Sequence, residues 1–419
     1  MTSAPRRVLT ALGVLLGLAP AGHALAQSVT VELNSEKQLI RGFGGMNHPV
    51  WIGDLTPAQR ETAFGNGPNQ LGMTVLRIFL SDNRNDWARE VETAKRAIEL
   101  GAIVFATPWN PPASMTEVVS RNGRQEKRLK YSEYANYVTH LNDFNAYMKS
   151  NGVNLYAVSI ANEPDWGFDW TWWSADEIYN FTKNYAGNIT AARVISAESF
   201  SYNKTYYDKI LNDAAAFGNV DILGTHLYAT DANTPNSTFQ YPLFEQKTTG
   251  QERWMTEHYT DSDNSADLWP MALDVGYEIH RSMVEAQFSA YTWWYIRRGY
   301  GPMREDGTIS KRGYCFANYS KFVRPGYHRV EATKNPTSGV YVSAYHGDQD
   351  VVVVAVNRET SQKSITVSIP GTTATSFEKF TTSGSKNLAD EGALALSGGS
   401  LVVSLDAQSV TTLHGVEAG

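Results

Sequence analysis

The sequence predicts an α/β fold, a (β/α)8 TIM barrel with an attached side β-sandwich domain, and three observations carry that prediction. Between residues 41 and 322, eight short apolar runs alternate with stretches of helical period, the pattern of a barrel. From residue 323 onward, short β-rich runs follow one another between Gly, Asn, Ser and Thr, as in a sandwich. The stretch Val29 to Leu39 alternates like an exposed strand before the first buried run begins, so it belongs with the C-terminal region and not with the barrel.

Taken in order, the chain begins with a segment outside the fold. Arg6 and Arg7 precede an apolar run from Val8 to Ala19, and Ala24-Leu25-Ala26 stands before Gln27, the layout of a secretory signal peptide over residues 1–26. That run is shorter than the roughly 20 residues a membrane span needs. The expected product is cleaved near Ala26 and secreted to the periplasm or medium, with no membrane partner.

Residues 27–40 form the sandwich's N-terminal strand. The barrel strands are expected at Gly42 to Met46, Val75 to Phe79, Ile103 to Ala106, Ala157 to Ile160, Val194 to Ala197, Ile222 to Thr225, Arg253 to Met255 and Ala290 to Trp294. Helices fit between most of them. Trp87 to Leu100 is one, and Ser132 to Ser150 is another, with Tyr134, Tyr137, Val138, Leu141, Phe144 and Met148 at helical spacing. Between Tyr228 and Arg253, Asn, Thr, Pro and Gly dominate, which predicts a degenerate or missing helix. Residues 323–419 complete the sandwich through Val340 to Tyr345, Val351 to Val356, Ser364 to Ile369 and Leu401 to Leu405.

Composition excludes several classes of function. A net charge of −7 argues against holding nucleic acid by long-range attraction. The single cysteine, Cys315, permits neither an internal disulfide nor a cysteine zinc site. Eleven tryptophans and twenty-two tyrosines, several of them in apparent loops, suit flat sugar rings with polar edges. No cofactor is expected, and a monomer is the simplest state.

The chemistry concentrates where the strands end. Ala157 to Trp166, AVSIANEPDW, runs apolar and stops at Asn162-Glu163-Pro164, and Trp254-Met255-Thr256 stops at Glu257. On the strand count, Glu163 closes strand four and Glu257 strand seven, both at the mouth where barrel active sites lie. An isolated glutamate in a loop is ordinarily just solvated. Two at paired strand ends are the equipment of a glycosidase, one protonating the leaving oxygen and one attacking the anomeric carbon. Arg77, Trp109, Asn162, His226 and Tyr228 follow other apolar runs in the same way. Asn162 is suited to a sugar hydroxyl, and Arg77 or Tyr228 to keeping the nucleophile ionised and aimed. A metal held by His226, Glu257 and His258 is disfavoured, since no HExxH spacing occurs, and no GxSxG elbow points to a serine hydrolase. Strand eight runs into Trp293-Trp294-Tyr295-Ile296-Arg297-Arg298-Gly299-Tyr300-Gly301, and two arginines at an active-site rim suggest a carboxylate on the substrate. At least one of the two is expected to pair with a barrel acid.

The motifs LRIFLSDNRNDW, VFATPWNPPASM, LNDFNAYMKSNGVNLYAVSIANEPDW, ILGTHLY, WMTEH, WWYIRRGYGPM, ISKRGY and AQSVTT span the chain beyond residue 26. Together they resemble the bacterial glucuronoxylan endo-1,4-β-xylanases of glycoside hydrolase family 30, subfamily 8. The resemblance implies a barrel with a side sandwich and a retaining endo-xylanase, with Glu163 as acid/base and Glu257 as nucleophile. It also implies cleavage directed by a 4-O-methylglucuronic acid branch of the substrate polysaccharide, glucuronoxylan. Matching the motifs puts the branch carboxylate on Arg298, flanked by Trp294 and Tyr300, with Tyr259 and Ser262 as further contacts and the following loop shorter than in some members. Trp109 matches a sugar-stacking residue beside the cleavage point, with Trp51 and Tyr228 as additional lining. Two other readings stay open from the residues alone. One is a related endo-xylanase or β-glucanase with no dependence on glucuronate; the other is a non-catalytic carbohydrate-binding protein.

Overall fold

The computed structural model describes residues 27–260 and 264–419. The expected signal peptide and Ser262 lie outside the described residues.

Eight parallel strands close into a barrel: β1 (Gly42–Met46), β2 (Val75–Phe79), β3 (Ile103–Thr107), β4 (Ala157–Ser159), β5 (Arg193–Ile195), β6 (Ile222–His226), β7 (Glu252–Glu257) and β8 (Ala290–Tyr295). They pair in chain order, and β8 returns to β1 through Ala290↔Gly42 and Tyr291↔Phe43. Strands covered on both faces read as near-continuous apolar runs, and every residue of β1, β2 and β8 is buried, Arg77 of β2 included. The barrel interior is filled by one apolar layer drawn from seven strands, with Val75, Phe105, Ala157, Ile195, Ile222, Trp254 and Ala290 in mutual contact. The large rings of Phe105 and Trp254 meet edge to face at 5.6 Å. In β1 the glycines admit a neighbouring backbone: a Cβ on Gly44 would stand 1.6 Å from the Val75 carbonyl oxygen.

The helix Tyr134–Ser150 buries Tyr137, Leu141, Phe144 and Met148 along one stripe, as its spacing predicts. The helix expected at Trp87 to Leu100 divides into a 3-10 segment, Arg84–Glu90, and an α-helix, Val91–Glu99. The weak joint between Tyr228 and Arg253 holds a single 3-10 turn, Asn236–Thr238, and a six-residue helix, Pro242–Lys247. A hairpin, Thr116–Arg121 with Arg124–Leu129, projects after β3 and is absent from the expected elements, because its charged, mostly half-exposed strands leave no apolar run to detect.

The side domain is a nine-stranded, mostly antiparallel sheet that folds over its own core. Its strands run in the order 389–395, 376–382, 409–416, 350–357, 340–347, 328–332, 27–39, 363–368 and 400–405. The N-terminal strand Gln27–Leu39 joins the two faces. Its first residues pair in parallel with Ile365 to Ser368, while Val31 to Leu39 pair antiparallel with His328 to Ala332 across two register shifts. Val29, Val31, Val342, Val353, Ile365 and Val403 meet inside. The opposite faces of the central strands give Val352, Val354, Val356 and Val410 to the barrel's core. Asn318, on the last barrel helix, donates to Thr412 Oγ1 at 2.9 Å and accepts from Thr382 Oγ1 at 2.7 Å, which fastens the sandwich to the barrel. Among the described residues, no helix is long and apolar enough to cross a membrane.

Candidate active site

Glu163 and Glu257 meet at the mouth of the barrel. A carboxylate oxygen of each and a ring nitrogen of His226 all lie within 4.8 Å of one another. Glu163 follows β4 on a backbone with φ of +39°, a conformation that a non-glycine residue adopts at a cost and that concentrates at functional sites. Its amide donates to the Glu198 carbonyl at 2.8 Å, so the chain beyond β4 is tied to the chain beyond β5. Glu257 ends β7.

The two carboxylates have opposite surroundings. Arg77, fully buried on β2, donates from Nη1 to Glu257 Oε2 at 2.5 Å and from Nη2 to Asn162 Oδ1 at 2.8 Å and Glu198 Oε1 at 3.2 Å. Tyr228 donates its hydroxyl to the other oxygen, Glu257 Oε1, at 2.7 Å. Glu257 is therefore fixed by a cation on one side and a phenol on the other, which suits a carboxylate that must stay charged and aimed. Among the described residues, the Glu163 carboxyl has a single hydrogen-bond partner, His226 Nδ1, 2.7 Å from its Oε1. Burial pushes the Glu163 carboxyl up to about 7, with the charge of Glu257 adding to the rise and the His226 bond opposing it.

Glu198 completes the arrangement. It is fully buried, accepts from Arg77, takes Thr107 Oγ1 at 2.8 Å, and faces His226 Nε2 at 3.3 Å. Burial alone would raise its pKa, but Arg77 and His226 outweigh that and hold it at about 2. Burial would likewise lower His226, yet Glu257, Glu163 and Glu198 together raise it to about 9. Arg77 and imidazolium His226 thus offset the charges of Glu198 and Glu257, and the third carboxyl, Glu163, keeps its proton near neutrality. Of the three residues weighed as metal ligands from the sequence, His258 turns its Nδ1 to Glu278. In the group that does assemble, Glu163, His226 and Glu257, His226 is bonded to Glu163 and Arg77 to Glu257.

Aromatic residues wall the cleft. Trp109 lies beneath Trp294, with centroids 5.9 Å apart, and the Arg77 guanidinium sits 4.8 Å from the Trp109 ring. Trp51 is 49% exposed and stacks at 4.0 Å on His48, a buried histidine not foreseen, which also abuts Phe79. Tyr259 stacks on Tyr300 at 4.8 Å and meets Tyr228 edge-on at 5.5 Å.

The two rim arginines differ. Arg297 points inward, donating to Gln59 Oε1 at 2.6 Å and to the Asp54 carbonyl at 3.1 Å, with the expected acid, Glu305, as an ion-pair partner 3.8 Å away. Arg298 remains 41% exposed in its side chain, with a long 3.4 Å contact to Glu305 and its guanidinium 5.6 Å from the Tyr295 ring. It is the more exposed of the two.

The structure thus gathers Arg77, Trp109, Asn162, Glu163, Tyr228, Glu257 and Trp294 around one point, with Trp51, Tyr259, Arg298 and Tyr300 at the rim. Sequence reasoning missed Glu198 and Thr107. Both end strand runs, and the same strand-end carboxylate pattern that marks Glu163 and Glu257 is present at Glu198.

No protein-family model matches the chain. It is 57% identical over 406 residues to the glucuronoxylanase XynC of Bacillus subtilis strain 168, spanning 96% of this chain and 95% of that protein. A second Bacillus subtilis glucuronoxylanase XynC is 56% identical over 95% of this chain and 94% of its own length. Among solved structures, a family 30 endoxylanase from Clostridium papyrosolvens C71 superposes with a TM-score of 0.87 at 42% identity, over 93% of this chain and all of that one. The subfamily 8 xylanase Xyn30A of Clostridium acetobutylicum gives 0.82 at 34% identity over the same shares. With two glutamates at one barrel mouth and relatives of this closeness over nearly its whole length, the chain belongs to glycoside hydrolase family 30, subfamily 8, and is an endo-xylanase.

Proposed function

We propose that the chain is an exported, retaining endo-xylanase that cuts internal β-1,4-xylosidic bonds of glucuronoxylan at a position set by a 4-O-methylglucuronic acid branch. The observation that carries this reading is the unequal pair Glu163 and Glu257 in one cleft with the open Arg298 at its rim. Retaining enzymes hold their carboxyl groups about 5–5.5 Å apart, whereas inverting ones need about 6.5–9.5 Å to admit a water. A carboxylate oxygen of each lies within 4.8 Å of the other, a close pairing that supports the retaining reading.

In the first step Glu163 gives its proton to the bridging oxygen while Glu257 attacks the anomeric carbon, forming a glycosyl-enzyme and releasing the leaving chain. Glu163, now a carboxylate, takes a proton from water as that water attacks the same carbon and frees Glu257. Arg77 and Tyr228 keep Glu257 ionised and directed, and Asn162, itself held by Arg77, stands next to the acid. The branch carboxylate would lie against Arg298, where a two-point hydrogen-bonded contact is available to a guanidinium. Tyr300 and Tyr259 stack beside it. The arginine pair and apolar run before Gln27 support export.

The test compares glucuronoxylan with xylan stripped of glucuronate. The branch-directed reading expects products cut at a constant offset from the branch and much slower attack on the stripped polymer. Arg298→Ala should lose about 10- to 100-fold on the decorated polymer, the worth of one charge-assisted bond, and little on the stripped one. Equal rates of the wild-type enzyme on both polymers would leave an endo-xylanase indifferent to the branch.

A further inference from the structure

Beyond the residues assigned so far, a second row of aromatic rings leaves the catalytic centre on the side of the acid. Phe200 stacks on Tyr228 with centroids 5.2 Å apart and planes 17° from parallel. Trp166 lies 4.7 Å from Phe200, and Phe168 lies 4.7 Å from Trp166. Each step is short enough for direct ring contact. The row therefore runs unbroken from the tyrosine that holds Glu257 to Phe168, which is 58% exposed.

The loop carrying these rings is built to hold them still. The Trp166 amide donates to the Glu163 carbonyl at 3.0 Å, and Trp170 Nε1 reaches the same oxygen at 3.3 Å, so the platform is pinned to the backbone of the acid itself. The hairpin after β3 supports it from outside. Arg124 places its guanidinium 3.7 Å from the Phe168 ring centre, and Trp172 donates its amide to the Lys127 carbonyl at 3.0 Å. A cation over one face of a ring fixes its orientation and leaves the remaining surface to a ligand.

Barrel geometry identifies the occupant. Around an eight-strand ring, β4 stands opposite β8, and the chain beyond β8 carries Arg298 and Tyr300. If the branched part of the substrate is held at β8, the polysaccharide must cross the centre and leave over β4. Glu163 protonates the oxygen of the departing chain, so the sugars next to it on its own side are those of the leaving group. We infer that Trp166 and Phe168, steadied by Arg124, form a binding platform for the leaving-side xylose residues of the same polysaccharide chain. This rests on the branch-directed retaining reading above, and it adds a contact that works on chain length and not on the branch.

The experiment uses the full chain and oligosaccharides that carry one glucuronate branch at a fixed place, lengthened by one, two or three xyloses on the leaving side. The wild-type enzyme should gain about tenfold in kcat/KM across the series, mostly through KM, because a contact remote from the reacting bond acts equally on the bound substrate and the transition state. Phe168→Ala should flatten the series while leaving the cut site unchanged, and Phe168→Tyr, which keeps the ring, should restore the gain. A wild-type enzyme with no gain on lengthening, or a Phe168→Ala enzyme with the full gain, overturns the platform. Loss of branch dependence with the length effect intact would instead overturn the branch-directed reading alone.

Discussion

Replacing His226 with Gln tests the charge balance on which the assignment of the acid rests. His226 is fully buried, sits 2.7 Å from Glu163, and is held in its charged form up to about 9. Its positive charge opposes the burial that raises Glu163, so without it the Glu163 carboxyl should rise further above its value of about 7. A charge-assisted hydrogen bond contributes about 1.5–3 kcal/mol, against about 1 for the neutral bond a glutamine amide can make. The difference of roughly 1–2 kcal/mol corresponds to about one pH unit. Since Glu163 must be protonated to act as an acid, the alkaline limb of kcat/KM should move from near pH 7 in the wild type to about pH 8 in His226→Gln. At pH 8 the variant would then retain about half its plateau rate and the wild type about a tenth. The assay is the pH profile of kcat/KM on one soluble branched oligosaccharide, with the fold verified by circular dichroism. A limb that stays near pH 7, or moves down, would refute both the charged state of His226 and the account of how Glu163 keeps its proton.

Tyr228→Phe removes one hydrogen bond to Glu257 Oε1 and nothing from the core, so kcat should fall about 10- to 100-fold with the melting temperature almost unchanged. Stability should itself depend on pH. His226 and Glu163 both titrate higher in the folded protein than in the unfolded chain, so what they contribute is complete at low pH and is lost as pH rises, through about 7 for Glu163 and about 9 for His226. Calorimetry should find the melting temperature falling between pH 6.5 and 9, with a shallower fall in His226→Gln; parallel curves would mean that His226 is neutral when folded. At the acid end, the stabilisation from Glu198 is lost as pH drops from the ordinary carboxyl value of 4.5 towards about 2. Gly44→Ala should cost more than about 3 kcal/mol, because its methyl would meet the Val75 carbonyl oxygen and force β1 away from β2; a soluble variant with wild-type melting behaviour would contradict that contact.

The barrel was legible because its strands are buried on both faces and so read as continuous apolar runs. The order and near-exact extent of β1, β2, β3, β6 and β8 follow from that single property. Legibility failed where burial is one-sided or absent. The strand Ala389–Ala395 is half-exposed or exposed along its whole length, and in Ser409–Val416 buried threonines stand where an apolar pattern would be expected. The hairpin Thr116–Arg121 with Arg124–Leu129 is held by cross-strand pairing and charge, neither of which has a period in sequence. Its importance comes from a loop it touches in space, beyond the next barrel strand.

The same contrast separates the parts of the site. Glu163, Glu257 and Glu198 all stand where a barrel strand gives out, so a rule that marks carboxylates at strand ends selects all three without ranking them. What distinguishes them is the count of partners on each oxygen. Glu198 has both oxygens occupied, by Arg77, His226 and Thr107, and is fully buried. It is already committed to holding cations in place and has no proton to lend or face to offer. Glu257 has one partner on each oxygen and sits at the cleft floor, while Glu163 has, among the described residues, His226 alone and a backbone conformation that a relaxed loop would avoid. Those partners come from β2, β3, β6 and the chain just beyond β6, so no window of sequence around any one glutamate contains the information that assigns its role. The closed ring of strands brings that information together, and the positive charges of Arg77 and His226 then divide three similar carboxyls into a brace, a nucleophile and an acid.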